Sequence, residues 1–298
     1  MFYEVAFLTH LQKERRLSQH TLVAYTNDLA QFLSYCQDTY SLTSVSEVRH
    51  LHIRAWIVSQ MEAGQNPRSI NRRLSCLKTY FRYTQKNGWL DHDPMQKVVA
   101  PKTAKRLPVV IQEHEMRLLL ANIQYPEGYA GLLHQIIIEV LYATGMRRSE
   151  LANLKVSDVD FSRSVIKVVG KGNKMRLAPV ASYLSDMLRR FIDTRKETFP
   201  TAPDPQLLLS IKGAPLSPES IYAIVNKYLS LVSSAEQLSP HVLRHSFATH
   251  LSDHGADLNA IRELLGHSNL AATQIYMHNS IEKLKKVYDQ AHPKSSEE

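Results

Sequence analysis

The chain has 298 residues, 44% of them hydrophobic, enough for two domains that each bury a core. Its formal net charge of +8 favours a polyanionic partner, with nucleic acid ahead of an acidic membrane surface. Two cysteines are too few for a disulfide framework. The mixed charges of Glu4, Lys13, Glu14 and Arg15 make no signal peptide, and the longest apolar runs are too short to span a bilayer. These features exclude a secreted scaffold and a membrane helix, and lead us to expect a soluble, cytoplasmic protein.

From Phe2 to about Gly88 the apolar spacing is helical, with one stripe at Leu22, Tyr25, Leu29, Phe32 and Leu33 and another at Ile70, Leu74, Leu77 and Phe81. This predicts a helical bundle over residues 1–97. Ser18 and Ser44 are its candidate caps, Asn66-Pro67 opens the last long helix and Asn87-Gly88 closes it. That helix carries Arg68, Arg72, Arg73, Lys78 and Arg82, with Tyr80 and Tyr83 interleaved. Such a face reads either as solvated surface or as a grip for backbone phosphates. Cys36 and Cys76 sit among apolar residues at helical spacing, as buried thiols in a reducing compartment do.

Residues 98–108, VVAPKTAKRLP, lose periodicity and hold two prolines and three basic residues, which marks a linker. The second domain, 109–298, opens with helices over 113–123 and 132–143, the latter halted by Gly145. In SDVDFSRSVIKVVGKGNKMRLAPV, β-branched runs flank Gly170-Lys171-Gly172-Asn173, predicting a small antiparallel sheet with a hairpin turn. Helices over 184–194 and 219–232 follow, joined by the loop FPTAPDPQ. A last amphipathic helix, about 281–291, groups Ile281, Leu284, Val287 and Tyr288 on one side, suited to its own domain or to a neighbour's groove. The expected class is mainly α with a small antiparallel sheet, an α+β arrangement.

The stretch SPHVLRHSFATHL, 239–251, holds a puzzle. With Ser239 as cap and Pro240 as first helical residue, His241 and Arg244 lie near the helix start, where the amide dipoles favour anions. His241, Arg244, His245 and Ala248 share one face, and Leu243, Phe247 and Leu251 form an apolar stripe on another. A phosphate docked at the helix start would offset the misplaced charge. Two other readings compete. His241 and His245 have metal-ligand spacing, but no HExxH glutamate accompanies them. A break at Gly255 before a short helix also fits a helix-turn-helix.

Three further segments place a polar residue at a chain break. ATGMRRSEL sets Arg147 just past Gly145, with Glu150 three residues on and close enough to hold a nearby arginine or histidine. VVGKGNK sets Lys171 at a turn tip, although it lacks the spacing of a P-loop. LLGHSN sets His267 after Gly266, and ATQIYMH then carries Tyr276.

Taken together, Arg147, Lys171, His241-x-x-Arg244, His267 and Tyr276 resemble the active site of the tyrosine site-specific recombinases, the integrase family, and most closely its Xer branch. The resemblance covers nearly the whole chain. LSQHTLVAYTNDLAQFL and INRRLSCLKTYFRY are similar to the family's SAM-like core-binding domain, and LKKVYDQAHPKS to the branch's ending. Departures are Arg148, Ala272 and Met277, none at a catalytic position.

The resemblance implies that Tyr276 attacks the scissile phosphate and leaves a 3′-phosphotyrosyl bond. It assigns the tyrosine's proton to His241, phosphate clamping to Arg147 and Arg244, a further hydrogen bond to His267, and general acid catalysis to Lys171. It implies neither metal nor ATP, and a nucleoid-associated enzyme. Its partners would be double-stranded DNA bearing a recombination site, a homo- or hetero-tetramer of protomers exchanging the last helix, and in some systems a directionality protein. The role would be resolution of chromosome dimers, or integration, excision or inversion by a mobile element. Two rival functions are a type IB topoisomerase, which relaxes DNA by the same chemistry, and a catalytically silent architectural DNA-binding protein.

Overall fold

The computed structural model describes residues 1–15, 17–103, 109–170, 173–200, 205–266 and 277–293, the side chains of 277–283 excepted. The chain divides into two compact units, Met1–Arg106 and Leu107–Glu298. Among the described residues, no helix is long and apolar enough to cross a membrane.

The first unit is built from α1 (Glu4–Lys13), α2 (Gln19–Tyr40), α3 (His50–Glu62) and α4 (Pro67–Lys86). The chain breaks fall where cap chemistry puts them. Ser18 accepts a bond from the Thr21 amide, Asn66 accepts one from Arg68 ahead of Pro67, and Ser44 caps a short 3-10 turn instead of a full helix. Phe7, Leu29, Phe32, Trp56, Leu74, Leu77 and Phe81 fill the core, uniting the two stripes read from the sequence. Cys36 and Cys76 are buried free thiols, each pushed up to about 12 mainly by burial, so they remain protonated.

The second unit centres on α6 (Tyr129–Thr144), whose last nine residues, Ile136 to Thr144, are all buried. A helix that is apolar on every side belongs in the middle of a fold. Around it pack α8 (Ser182–Thr198), α9 (Pro218–Leu229) and α10 (Pro240–Asp253). The helix α5 (Glu113–Ala121) precedes it, and α7 (Arg148–Ala152) follows directly after Gly145, the left-handed C-cap of α6. The sheet is antiparallel, in the order β1 (Val159–Asp160), β2 (Val165–Val169), β3 (Met175–Pro179). Its β2–β3 register pairs Val168 with Arg176 and Val169 with Met175. The turn between them holds Lys171 and Gly172, which lie outside the described residues. FPTAPDPQ does more than join helices, since Gln206 at its end bridges to Lys155.

The short α11 (Leu258–Leu264) and the last helix, α12 (Met277–Ala291), complete the unit. In this single chain α12 lies on its own domain. Leu284, Tyr288 and Ala291 are buried in the same core as α6 and α10, and the Tyr288 ring stacks on His292 with centroids 4.7 Å apart.

Candidate active site

The puzzle of the cationic helix start resolves in the contacts of Arg244. Its side chain is buried, and it donates from Nη1 to the Gly145 carbonyl (2.6 Å) and from Nη2 to the Leu265 carbonyl (2.8 Å). Gly145 is the C-cap of α6 and Leu265 the C-cap of α11. These are the ends where helix carbonyls concentrate negative partial charge. Two negative helix ends therefore offset the charge placed at the positive end of α10. This amends the expectation that a bound phosphate must do so. The Ser239 hydroxyl makes no cap bond, although the helix starts at Pro240 as expected. Burial, then the neighbouring Arg147 and Arg176, push the Arg244 guanidinium down to about 10, against the pull of Glu150, so it stays charged at neutral pH.

Arg147 lies close enough to Arg244 for the two charges to act on each other. It is the N-cap of α7, in extended backbone, and its side chain is 35% exposed. Glu150, one turn on, accepts both the Arg147 backbone N–H at Oε2 and its Nη1 at Oε1, each at 2.8 Å. The carboxylate thus closes the helix start and orients the guanidinium. Burial acts to raise the Glu150 carboxyl, but hydrogen bonds and charge from Arg176 and Arg147 outweigh it and hold the group below its usual range. It remains an anion.

His241 is exposed at the start of α10, and His245 is half-buried one turn along. The His241 imidazole is held below its ordinary value, first by desolvation and then by the charges of Arg148, Arg244 and Arg147. Arg148 stands at none of the family's catalytic positions, but its charge acts on one of them. Its guanidinium sits 5.7 Å from the Tyr222 ring centroid on α9, and its field reaches His241. Among the described residues, no group of three or more histidines, cysteines and carboxylates gathers as a metal ligand set.

Lys171, His267 and Tyr276 lie outside the described residues, as does Ala272. The described residues bordering two of them converge on the pocket. A Cβ at Gly170, just before Lys171, would lie 3.1 Å from Glu150 Oε1. A Cβ at Gly266, just before His267, would lie 3.2 Å from the Cδ of Arg176. The structure therefore joins Arg147, Glu150 and Arg244 in one cluster with His241 beside it.

It also adds Arg176, which sequence reasoning missed. A basic residue in a short strand reads as solvent-facing, yet this one is 9% exposed and donates to Glu150 at 2.9 Å. The available signal was its position on the strand after the Lys171 turn; its pairing with Glu150, 26 residues away, appears only in the fold.

In the first unit, the basic residues of α4 separate. Arg68, Arg72, Lys78 and Arg82 are exposed. Arg73, grouped above with that face, lies about 140° round the helix from Arg68 and turns inward. It bonds Gln60 and, at 3.8 Å, approaches the buried Asp28, which also binds Arg72. Tyr80 is buried with its hydroxyl on the Phe2 carbonyl, and Tyr83 stacks on His10, so both rings serve the core instead of the basic face.

Known proteins share this sequence and fold. The Phage integrase family matches residues 109–283, and the Phage integrase N-terminal SAM-like domain matches residues 5–88. Tyrosine recombinase XerC of Mycobacterium sp. (strain KMS) is 37% identical over 294 residues, 97% of this chain and 98% of the relative. Its counterpart from Pelobacter propionicus is 36% identical over 291 residues, covering 97% and 95%. Among solved structures, the XerH site-specific recombinase bound to difH substrate in a pre-cleavage complex has the same fold. Its TM-score is 0.69 at 23% identity, over 95% of this chain and 83% of that one.

Proposed function

We propose, from the premise that this chain belongs to the phage integrase family and is a tyrosine recombinase of its Xer branch, that the basic pocket of its second unit holds one scissile DNA phosphate. The chain is a site-specific recombinase that cuts and rejoins DNA strands. The observation that carries the assignment of the pocket is the Glu150 carboxylate, which takes the Arg147 guanidinium at 2.8 Å and whose charge also acts on the buried Arg244, so that two cations from separate elements lie near one anion.

In this reading the Tyr276 phenol oxygen attacks phosphorus, and its proton passes to His241. The P–O bond to the 5′ oxygen breaks, and Lys171 protonates that leaving oxygen. Arg147 and Arg244 stabilise the charge that grows on the non-bridging oxygens, with a further hydrogen bond from His267. The 3′-phosphotyrosyl bond keeps the energy of the broken linkage, so a 5′ hydroxyl from a partner strand reverses the step without ATP. His241 suits the base role because it is held neutral at physiological pH.

The domain assignment follows the same line. Residues 1–97 act as the core-binding domain, 98–108 as linker and 109–298 as the catalytic domain, bound to double-stranded DNA in a tetramer. Arg68, Arg72, Lys78 and Arg82 present the charge that grips phosphates, while Arg73 supports the helix that carries them. The helix α12 would leave its own domain for a neighbour's on DNA. A nucleoid-associated location in the cytoplasm fits such a substrate.

A nicked suicide substrate tests the chemistry, because the departing fragment cannot return and the covalent adduct survives SDS. The wild-type chain traps the adduct and Tyr276→Phe forms none. An adduct formed by the phenylalanine variant would show that another residue is the nucleophile.

A further inference from the structure

We infer that Arg176 is a positioning residue of the recombinase pocket, acting through Glu150 to aim Arg147 and through its stem to seat the turn that leads to His267. This rests on the function proposed above.

Three observations meet at this side chain. Its Nη2 donates to Glu150 Oε2 at 2.9 Å, while Glu150 Oε1 takes the Arg147 guanidinium at 2.8 Å. Glu150 is thus shared, one oxygen facing each arginine, and the Arg147 backbone N–H also lands on Oε2. Take Arg176 away and a buried carboxylate loses one of the two guanidinium groups hydrogen-bonded to it and is freer to turn. Arg147 then loses the fixed plane against which its fork is set.

The second observation is Gly266. Its φ is +75°, a left-handed turn, and a Cβ there would press against Arg176 at Cδ (3.2 Å), Nη1 (3.6 Å) and Nε (3.8 Å). Backbone and guanidinium are therefore fitted to each other at the residue before His267. The Leu265 carbonyl, one residue earlier, accepts from Arg244. The two arginines thus fix the end of α11 together.

The third is an unmet need. Among the described residues, Arg176 Nε is buried with no hydrogen-bond partner, in a side chain only 9% exposed. A charged donor kept dry and unsatisfied calls for an explanation. Placement for the sake of its neighbours supplies one. The register Val168↔Arg176 holds its Cα rigidly on the strand beyond the Lys171 turn, so β3 carries the position to the pocket. Arg176 touches neither the attacking oxygen nor the phosphate in this account. It acts on the residues that do.

The test uses the full chain with Arg176→Met, Arg176→Lys and Glu150→Gln, plus the double variant Glu150→Gln/Arg176→Met. Each is scored by single-turnover cleavage of the nicked substrate, by gel-shift affinity for the same DNA, and by thermal melting. Misplacing a clamp by an ångström costs on the order of 100-fold in rate, so Arg176→Met should lose about that much while affinity holds. Arg176→Lys keeps the charge on Glu150 and should recover part of the rate. The double variant should cleave no more slowly than the worse single one, because both changes break the same chain of contacts.

Losses that multiply in the double variant would overturn the inference, as would an Arg176→Met rate equal to wild type or a loss confined to affinity. If Arg176→Met does not fold, Arg176→Lys and the Glu150→Gln comparison decide, and a lysine variant that melts normally yet shows the wild-type rate with Glu150→Gln also silent would sink it. A wild-type chain that forms no adduct would instead count against the function itself.

Discussion

At the scale of single residues, the cluster gathers cations whose own repulsion is locally compensated. Arg244 is tolerated because two helix ends and Glu150 oppose it. His241 is the sensitive reporter of that balance. Its ordinary value is 6.5, and burial, then Arg148, Arg244 and Arg147, hold it lower. In the proposed role as base His241 must be neutral, so activity should survive until the pH falls through this depressed value. Replacing Arg148 by leucine removes one of the three cations, which lets the imidazole keep its proton at higher pH. The acidic limb of kcat/KM for strand cleavage should therefore move upward, toward 6.5, in Arg148→Leu. A limb that stays in place or moves down would separate Arg148 from His241. Residue contacts of this kind were only half legible in the sequence. The breaks at Gly145, Gly170 and Gly266 flagged their neighbours, but Arg148 looked like a neutral departure because its reach to α10 depends on folding.

At the scale of elements, helix starts and stops were readable because caps are local chemistry. Ser18, Asn66 and Gly145 each end or begin a helix where the sequence places them. The two-residue strand β1 and the Lys155–Gln206 bridge were not readable, since neither is long enough to show a period. The helix α4 shows a subtler limit. Counting its charges made one basic face, whereas angular position divides them into an outer set and an inward Arg73. Arg73 has a job of its own, shared with Arg72, which is exposed yet reaches the same buried carboxylate. Asp28 is buried and pairs with Arg72 and Arg73, so it ties α2 to α4. Asp28→Ala leaves those guanidinium groups without their anion and should destabilise the chain by about 3 kcal/mol in denaturant melts, the low end of the range because Arg72 is half-exposed. Arg68→Ala, on the outer face, should leave the melt unchanged and weaken DNA binding. A stable Asp28→Ala chain would contradict the structural part of this division.

At the scale of the whole molecule, the architecture gathers residues that are far apart in the chain. The positive net charge foretold a polyanion and the string of motifs foretold the chemistry, but neither could show Glu150 as the shared anchor of Arg147 and Arg176. That sharing exists only once β3 lies beside α7. The central claim is that Arg147 and Arg244 together neutralise the charge of one phosphate as it is attacked. The most direct test compares cleavage of an ordinary substrate with one carrying a neutral methylphosphonate at the scissile position. Arg244→Ala should slow the ordinary substrate by on the order of 100-fold or more, and the methylphosphonate by about tenfold less than that, because the charge it answers is gone. Equal losses on both substrates would mean that Arg244 serves the fold or the binding of DNA, and not the phosphate at the centre of the pocket.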